Sequence, residues 1–127
     1  MEWVAIVAGL ALVEYFVFVF QCGKARGQYG VPAPATVGDA VYERRFRIQM
    51  NTVEHLVIFF PGMVLFAVYV SEVGAAAVGL VFILGRALYA RGYAEDPAKR
   101  GPGFGLTLLA DAILVLGGIG GAVLRLL

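Results

Sequence analysis

Four long apolar runs, near residues 3–22, 54–71, 73–90 and 104–127, take up most of this chain and leave little polar sequence between them. Each has, or nearly has, the roughly 20 residues that an α-helix needs to cross the hydrocarbon of a bilayer. Of the residues, 61% are hydrophobic and the mean hydropathy is +0.84, whereas a soluble domain is about 45–50% apolar. The predicted fold is therefore an all-α integral membrane protein, a bundle of four transmembrane helices with spans at about 3–22, 42–70, 74–92 and 104–126, forming one membrane domain over residues 1–127. The acidic start Met1-Glu2-Trp3, with no clean small-residue cleavage site after it, gives no reason to expect a secretory signal. A net charge of +1 offers no case for nucleic-acid binding. Cys22 is the lone cysteine, so no intrachain disulfide can form, and a small packed residue is the favoured reading.

The charges set the expected orientation. Lys24, Arg26, Arg44, Arg45, Arg47, Arg86, Arg91, Lys99 and Arg100 all fall in or beside the first and third connections. The second connection is only Ser71-Glu72-Val73-Gly74, and the C-terminal end has Arg125 alone. With four spans the first and third connections share a side, and the excess of Lys and Arg places both in the cytoplasm with the termini opposite.

The second span carries a polar stripe. Arg44, Arg47, Asn51 and Glu54 fall within roughly 80° of one another at about 100° per residue. Ionisable groups pushed this far into an apolar helix pair, or face a wet cavity, and mark a functional site by default. The bland alternative is that Arg47 and Glu54 merely satisfy each other. Asp39 is a natural N-cap for this helix, expected to run from about Ala40 to Val70, with a kink near Val57 to Pro61. His55 reads as a packed neutral imidazole, and no second His or Cys stands at ligand spacing, so no metal is expected. On the third span Gly79 and Gly85 allow close helix approach, and Arg86, Tyr89 and Tyr93 share a face. Glu14 of the first span is expected to pair with an arginine or polar group of a neighbouring helix, and Asp111 of the fourth with an arginine of a neighbour.

The polar inventory at the cytoplasmic end is Arg26, Arg44, Arg47, Gln49, Asn51, Glu54, Tyr89, Tyr93 and Arg100. It suits a small zwitterion with more than one carboxylate. Arginines clamp carboxylates, Glu54 answers an ammonium, and the amide and phenols add directional bonds. No Ser-His-Asp set, phosphate-cradling glycine loop or metal cluster is present, so the chemistry must come largely from the ligand.

Glu43-Arg44-x-x-Arg47-x-Gln49-x-Asn51-x-x-Glu54, followed by Arg86-x-x-Tyr89-x-x-x-Tyr93, resembles the signature of the MAPEG family, the membrane-associated proteins in eicosanoid and glutathione metabolism. That family includes microsomal glutathione transferases, leukotriene C synthase and the lipoxygenase-activating protein. The resemblance covers the whole chain. It implies a homotrimer holding glutathione, as co-substrate, between neighbouring subunits in the membrane lipid. It also implies that Arg26, Arg47, Gln49, Asn51, Glu54, Tyr89, Tyr93 and Arg100 match glutathione-binding positions. On this reading Arg47 and a neighbour's Arg100 or Arg26 clamp the carboxylates, Glu54 and Asn51 meet the amino end, and Tyr89 and Tyr93 hold the tripeptide. Arg100 is the first choice, and Arg26 the second, for the catalytic residue that favours thiolate. Gly27 stands where leukotriene C synthase has a second arginine, and His55 stands where the leukotriene branch often has tyrosine. Both departures point to a general glutathione transferase or peroxidase acting on a hydrophobic electrophile or lipid hydroperoxide. The competing expectations are a non-catalytic lipid-binding scaffold of the same family and a small proton-coupled exporter built on Glu14.

Overall fold

The computed structural model describes all 127 residues and contains no strand. Its helices are α1, Glu2–Gln28; α2, Ala40–Tyr69; α3, Glu72–Glu95; and α4, Gly101–Leu126, with a single 3-10 turn at Pro97–Arg100 before α4. All four are long and apolar enough to cross a membrane, so the protein is a multi-pass integral membrane protein. At about 1.5 Å per residue the helices reach roughly 36–45 Å, beyond the roughly 30 Å of hydrocarbon. The excess lies at the ends that carry the charges. α1 continues past its expected end through Lys24 and Arg26 to Gln28, and α3 continues to Glu95. Hydropathy marks only the part of a helix that lipid must cover, so it stops short of a polar extension.

Local signals explain the boundaries. Asp39 caps α2 as expected, its Oδ1 accepting the Tyr42 amide at 2.9 Å. Ser71 does the same for α3, its Oγ accepting the Gly74 amide at 2.9 Å, and leaves a connection of just Val70 and Ser71. The first connection turns on Gly30 and Gly38, whose φ values of 66° and 135° a side chain would disfavour. α2 runs helically through Pro61. The third connection is almost wholly helical: Asp96 is the one non-helical residue between α3 and α4. An Asp39→Ala variant is expected to lose about 1 kcal/mol, read as a lower unfolding midpoint in detergent.

α2 and α3 form the centre, with α1 packed on one side of them and α4 on the other. The core draws Val7 and Ala11 from α1, Phe59 and Met63 from α2, Phe82 from α3 and Leu114 from α4. Phe59 and Phe82 stack with centroids 3.9 Å apart. Only 31 of the 127 residues are buried within the chain, and Phe16, Phe20, Val57, Leu116 and Leu124 point outward. That outward apolar surface suits lipid or other apolar helices, as a water-facing bundle would not. Gly117 and Gly121 of α4 meet α2: a Cβ would fall 2.6 Å from the Phe66 ring at the first and 2.5 Å from the Tyr69 carbonyl oxygen at the second.

Candidate functional site

An open cleft of about 590 Å³ lies where α2, α3 and the start of α4 converge, lined by Arg47, Asn51, Tyr89, Tyr93, Arg100 and Phe104. Its size fits a small organic ligand. Two of the six lining residues are guanidinium-bearing, so the cleft attracts anions. Arg47 and Tyr93 also border a second groove with Glu43, Arg44 and Pro97, which extends the cationic surface toward the first connection. Arg47 Nη1 lies 3.0 Å from Glu54 Oε1, with both side chains half-exposed. A pair so open to solvent contributes about 0–1 kcal/mol, so either partner is cheaply released to a ligand.

Two glycines build the cleft by letting backbones touch. At Gly92 a Cβ would fall 2.4 Å from the Lys99 carbonyl oxygen, so α3 holds the 3-10 turn and Arg100 against itself. At Gly103 a Cβ would fall 2.1 Å from the Tyr89 amide nitrogen, which sets the start of α4, and so Phe104, beside Tyr89. Tyr89 and Tyr93 stack at 5.5 Å and 22°. Arg100 donates to the Pro97 carbonyl at 2.8 Å and is otherwise unengaged by hydrogen bonds.

Beneath the cleft, Arg86 is fully buried. Its Nε donates to Thr107 Oγ1 at 3.0 Å, its Nη1 to Asn51 Oδ1 at 2.7 Å, and its Cζ sits 4.3 Å from the Tyr89 ring centroid. It therefore shares the face expected from its spacing with Tyr89 and Tyr93, but it points into the bundle and supports the wall. The sequence offered no sign that Arg86 reaches Asn51, because spacing relates residues within one helix and not across two.

Two expected pairings differ from what the fold provides. Asp111 was expected against an arginine; it meets His55 instead, with Nδ1 2.9 Å from Oδ2. The reason is positional: His55 lies one turn deeper on α2 than Asn51 and faces α4, while Arg86 turns its Nε and Nη1 to Thr107 and Asn51 and leaves its buried Nη2 without a partner. The His55 ring also meets Phe104 edge-on at 5.4 Å. Glu14 was expected to pair, yet it makes no ion pair and its buried Oε1 has no hydrogen-bond partner. It borders a lateral groove with Phe18, Gln21, Arg45, Ala87 and Arg91.

Two residues of the expected set lie away from the cleft. Arg26 donates to the Ala35 carbonyl at 2.8 Å and to the Tyr42 hydroxyl, tying the first connection to α1. Gln49 Nε2 donates to Tyr15 of α1 at 3.4 Å. It stands about 200° around α2 from both Arg47 and Asn51, so one chain cannot turn all three into one cleft. Phe104, Gly92 and Gly103 were not anticipated; their only signal was glycine beside an aromatic residue at a connection.

The sequence profile of the MAPEG family matches residues 4–120. The chain belongs to the MAPEG family. Human microsomal glutathione S-transferase 2 is 42% identical over 112 residues, which span 88% of this chain and 76% of that protein. An uncharacterized protein of Synechocystis is 46% identical over 117 residues, covering 92% of this chain and 85% of its own length. Bovine leukotriene C4 synthase is more distant, 33% identical over 92 residues, with 72% of this chain and 60% of the synthase covered. As a MAPEG protein the chain thus lies among relatives named for glutathione transfer and for leukotriene synthesis. Its cationic, tyrosine-walled cleft is the part of the fold suited to hold an anionic ligand.

Proposed function

We propose that this protein is a membrane-bound glutathione transferase or peroxidase. It binds glutathione at the membrane edge, holds it as thiolate and directs it at a hydrophobic electrophile or lipid hydroperoxide in the bilayer. The observation that carries this reading is the convergence of Arg47, Asn51, Tyr89, Tyr93 and Arg100, from separate stretches of sequence, on one cleft, with Glu54 tied to Arg47. Such a cleft answers the charges of a tripeptide with two carboxylates and an ammonium. Arg47 and Arg100 face carboxylates or thiolate, Glu54 faces the ammonium, and the stacked tyrosines line the peptide. A purely lipid-binding scaffold has no need of two arginines and a carboxylate at one cleft.

The working unit in this proposal is a homotrimer. Arg26 and Gln49 lie on the far side of α2 from the cleft, so a neighbouring chain supplies them to the site. Their bonds to Tyr42 and Tyr15 hold them at the α1 side, where a second copy's cleft would meet them. By the excess of Lys and Arg in the first and third connections, the site opens to the cytoplasm and the termini lie opposite.

Glutathione binding and turnover with a hydrophobic aryl halide, measured on the purified protein in detergent, test the reading. Arg47→Ala is expected to weaken glutathione binding by about tenfold to a hundredfold, the loss of a charge-assisted bond to carboxylate. Co-expressing an Arg26→Ala chain with an Arg47→Ala chain is expected to restore part of the activity that each variant lacks alone. Additive loss, with no recovery in the mixed assembly, would place both residues in one chain's site and remove the shared-site arrangement.

A further inference from the structure

We propose that Arg86 is a positioning residue that locks the Asn51 amide as a hydrogen-bond donor to the cleft, and so dictates that Asn51 meets a ligand carboxylate or peptide carbonyl. This rests on the glutathione reading above and names the part of the ligand that Asn51 contacts.

The argument is one of donor and acceptor polarity. A guanidinium has five N–H donors and no acceptor, and it stays protonated. The Asn51 side-chain atom 2.7 Å from Arg86 Nη1 must therefore be the oxygen. The neighbouring groups enforce the same polarity. Thr107 spends its hydroxyl proton on the Gly103 carbonyl at 2.8 Å, leaving a lone pair for Arg86 Nε. Thr52 spends its own on the Ile48 carbonyl at 2.7 Å and presents an oxygen 3.4 Å from Nη1. Arg86 Nε and Nη1 thus meet acceptors only, its buried Nη2 meets no partner, and its ring contact with Tyr89 holds the guanidinium against the cleft wall. Turning the amide over would set an NH₂ group against a donor-only cation in a buried place, so the flip is closed.

With its oxygen turned inward to Arg86, Asn51 presents its N–H donors to the cleft it lines. Such a group repels an ammonium and binds an acceptor. This differs from the expectation that Asn51 joins Glu54 at the amino end of the ligand. Glu54 alone then answers the ammonium, and Asn51 serves a carboxylate or carbonyl beside it.

Asn51→Asp separates the alternatives, because an aspartate keeps an acceptor for Arg86 while replacing the cleft-facing NH₂ with oxygen. Unfolding midpoint and glutathione affinity are measured on the detergent-purified assembly. Asn51→Asp is expected to hold the wild-type midpoint or exceed it, and to raise the Kd for glutathione by about tenfold or more. Binding as tight as wild type, or tighter, overturns the proposal, since it would mean that the residue accepts from the ammonium. Asn51→Leu is expected to unfold at a lower temperature than Asn51→Asp, because it strands Arg86; equal midpoints would overturn the Arg86 anchor. Arg86→Lys, a point charge unable to hold Asn51 and Thr107 together, is expected to raise the Kd with kcat at saturating glutathione within about twofold. Loss of kcat with an unchanged Kd would contradict it. Should wild type bind no glutathione, the functional reading fails, and the order of the midpoints still decides the anchor.

Discussion

An Arg100→Ala variant is expected to stay folded, to bind glutathione, and to lose about tenfold to a hundredfold in kcat/KM at neutral pH. Arg100 lies on the rim of the cleft, exposed, with a backbone carbonyl as its one hydrogen-bond partner. Its removal strands no buried group, so little stability should go with it. Its chemical effect is large because a free thiol has a pKa of about 8.5 and is mostly protonated near neutrality. A guanidinium beside the sulfur favours the charged form and lowers that pKa, so thiolate is abundant from lower pH upward. Without Arg100 the thiol pKa rises back, and the acid limb of the pH–rate profile moves to higher pH by about one to two units. The variant should accordingly approach wild-type activity in alkaline buffer. A deficit that is the same at every pH would show that Arg100 acts on something other than thiol ionisation.

The second large effect is expected at a residue with no side chain. Gly103→Ala should abolish the folded, active protein, costing at least about 3 kcal/mol. The added Cβ would stand 2.1 Å from the Tyr89 nitrogen, 2.5 Å from its Cα and 2.8 Å from the Gly85 carbonyl oxygen. All three are backbone atoms that no rotamer change can move. α3 and α4 would have to separate, pulling Thr107 from Arg86 and Phe104 from the cleft wall. Gly105→Ala, two residues on, meets nothing within 4 Å and should be neutral or slightly stabilising through helix propensity. The comparison is read by the yield of monodisperse protein and by glutathione binding. Matching behaviour of the two variants would mean that the α3–α4 contact is not tight at Gly103.

The difference between those two glycines shows where the sequence is legible and where it is not. Apolar run length gave four spans, because a bilayer imposes one length on every helix that crosses it. Helical period gave the Arg86, Tyr89, Tyr93 face and the stripe of Arg44, Arg47, Asn51 and Glu54, because a face is a property of one helix. Asp39 was legible as a cap for the same local reason. What one helix presents to another is a different matter. The pairing of His55 with Asp111, the reach of Arg86 to Asn51 and the lone Glu14 all depend on how helices rotate against each other, which no single-helix period fixes. Among 17 glycines, composition does not separate Gly103, pressed on backbone, from Gly105, facing open space. The site residues were named through motif resemblance, and their split between the cleft and the α1 side emerged only once α2 was seen from both faces.

The central claim is that the cleft binds glutathione and holds it ionised. Rapid mixing of the detergent-purified wild-type protein with glutathione, followed by the ultraviolet absorbance of thiolate, tests it most directly. A rise that saturates with glutathione concentration, and that acid reverses with a midpoint below that of free glutathione, is the predicted result. Binding without any rise, or no binding at all, would contradict it.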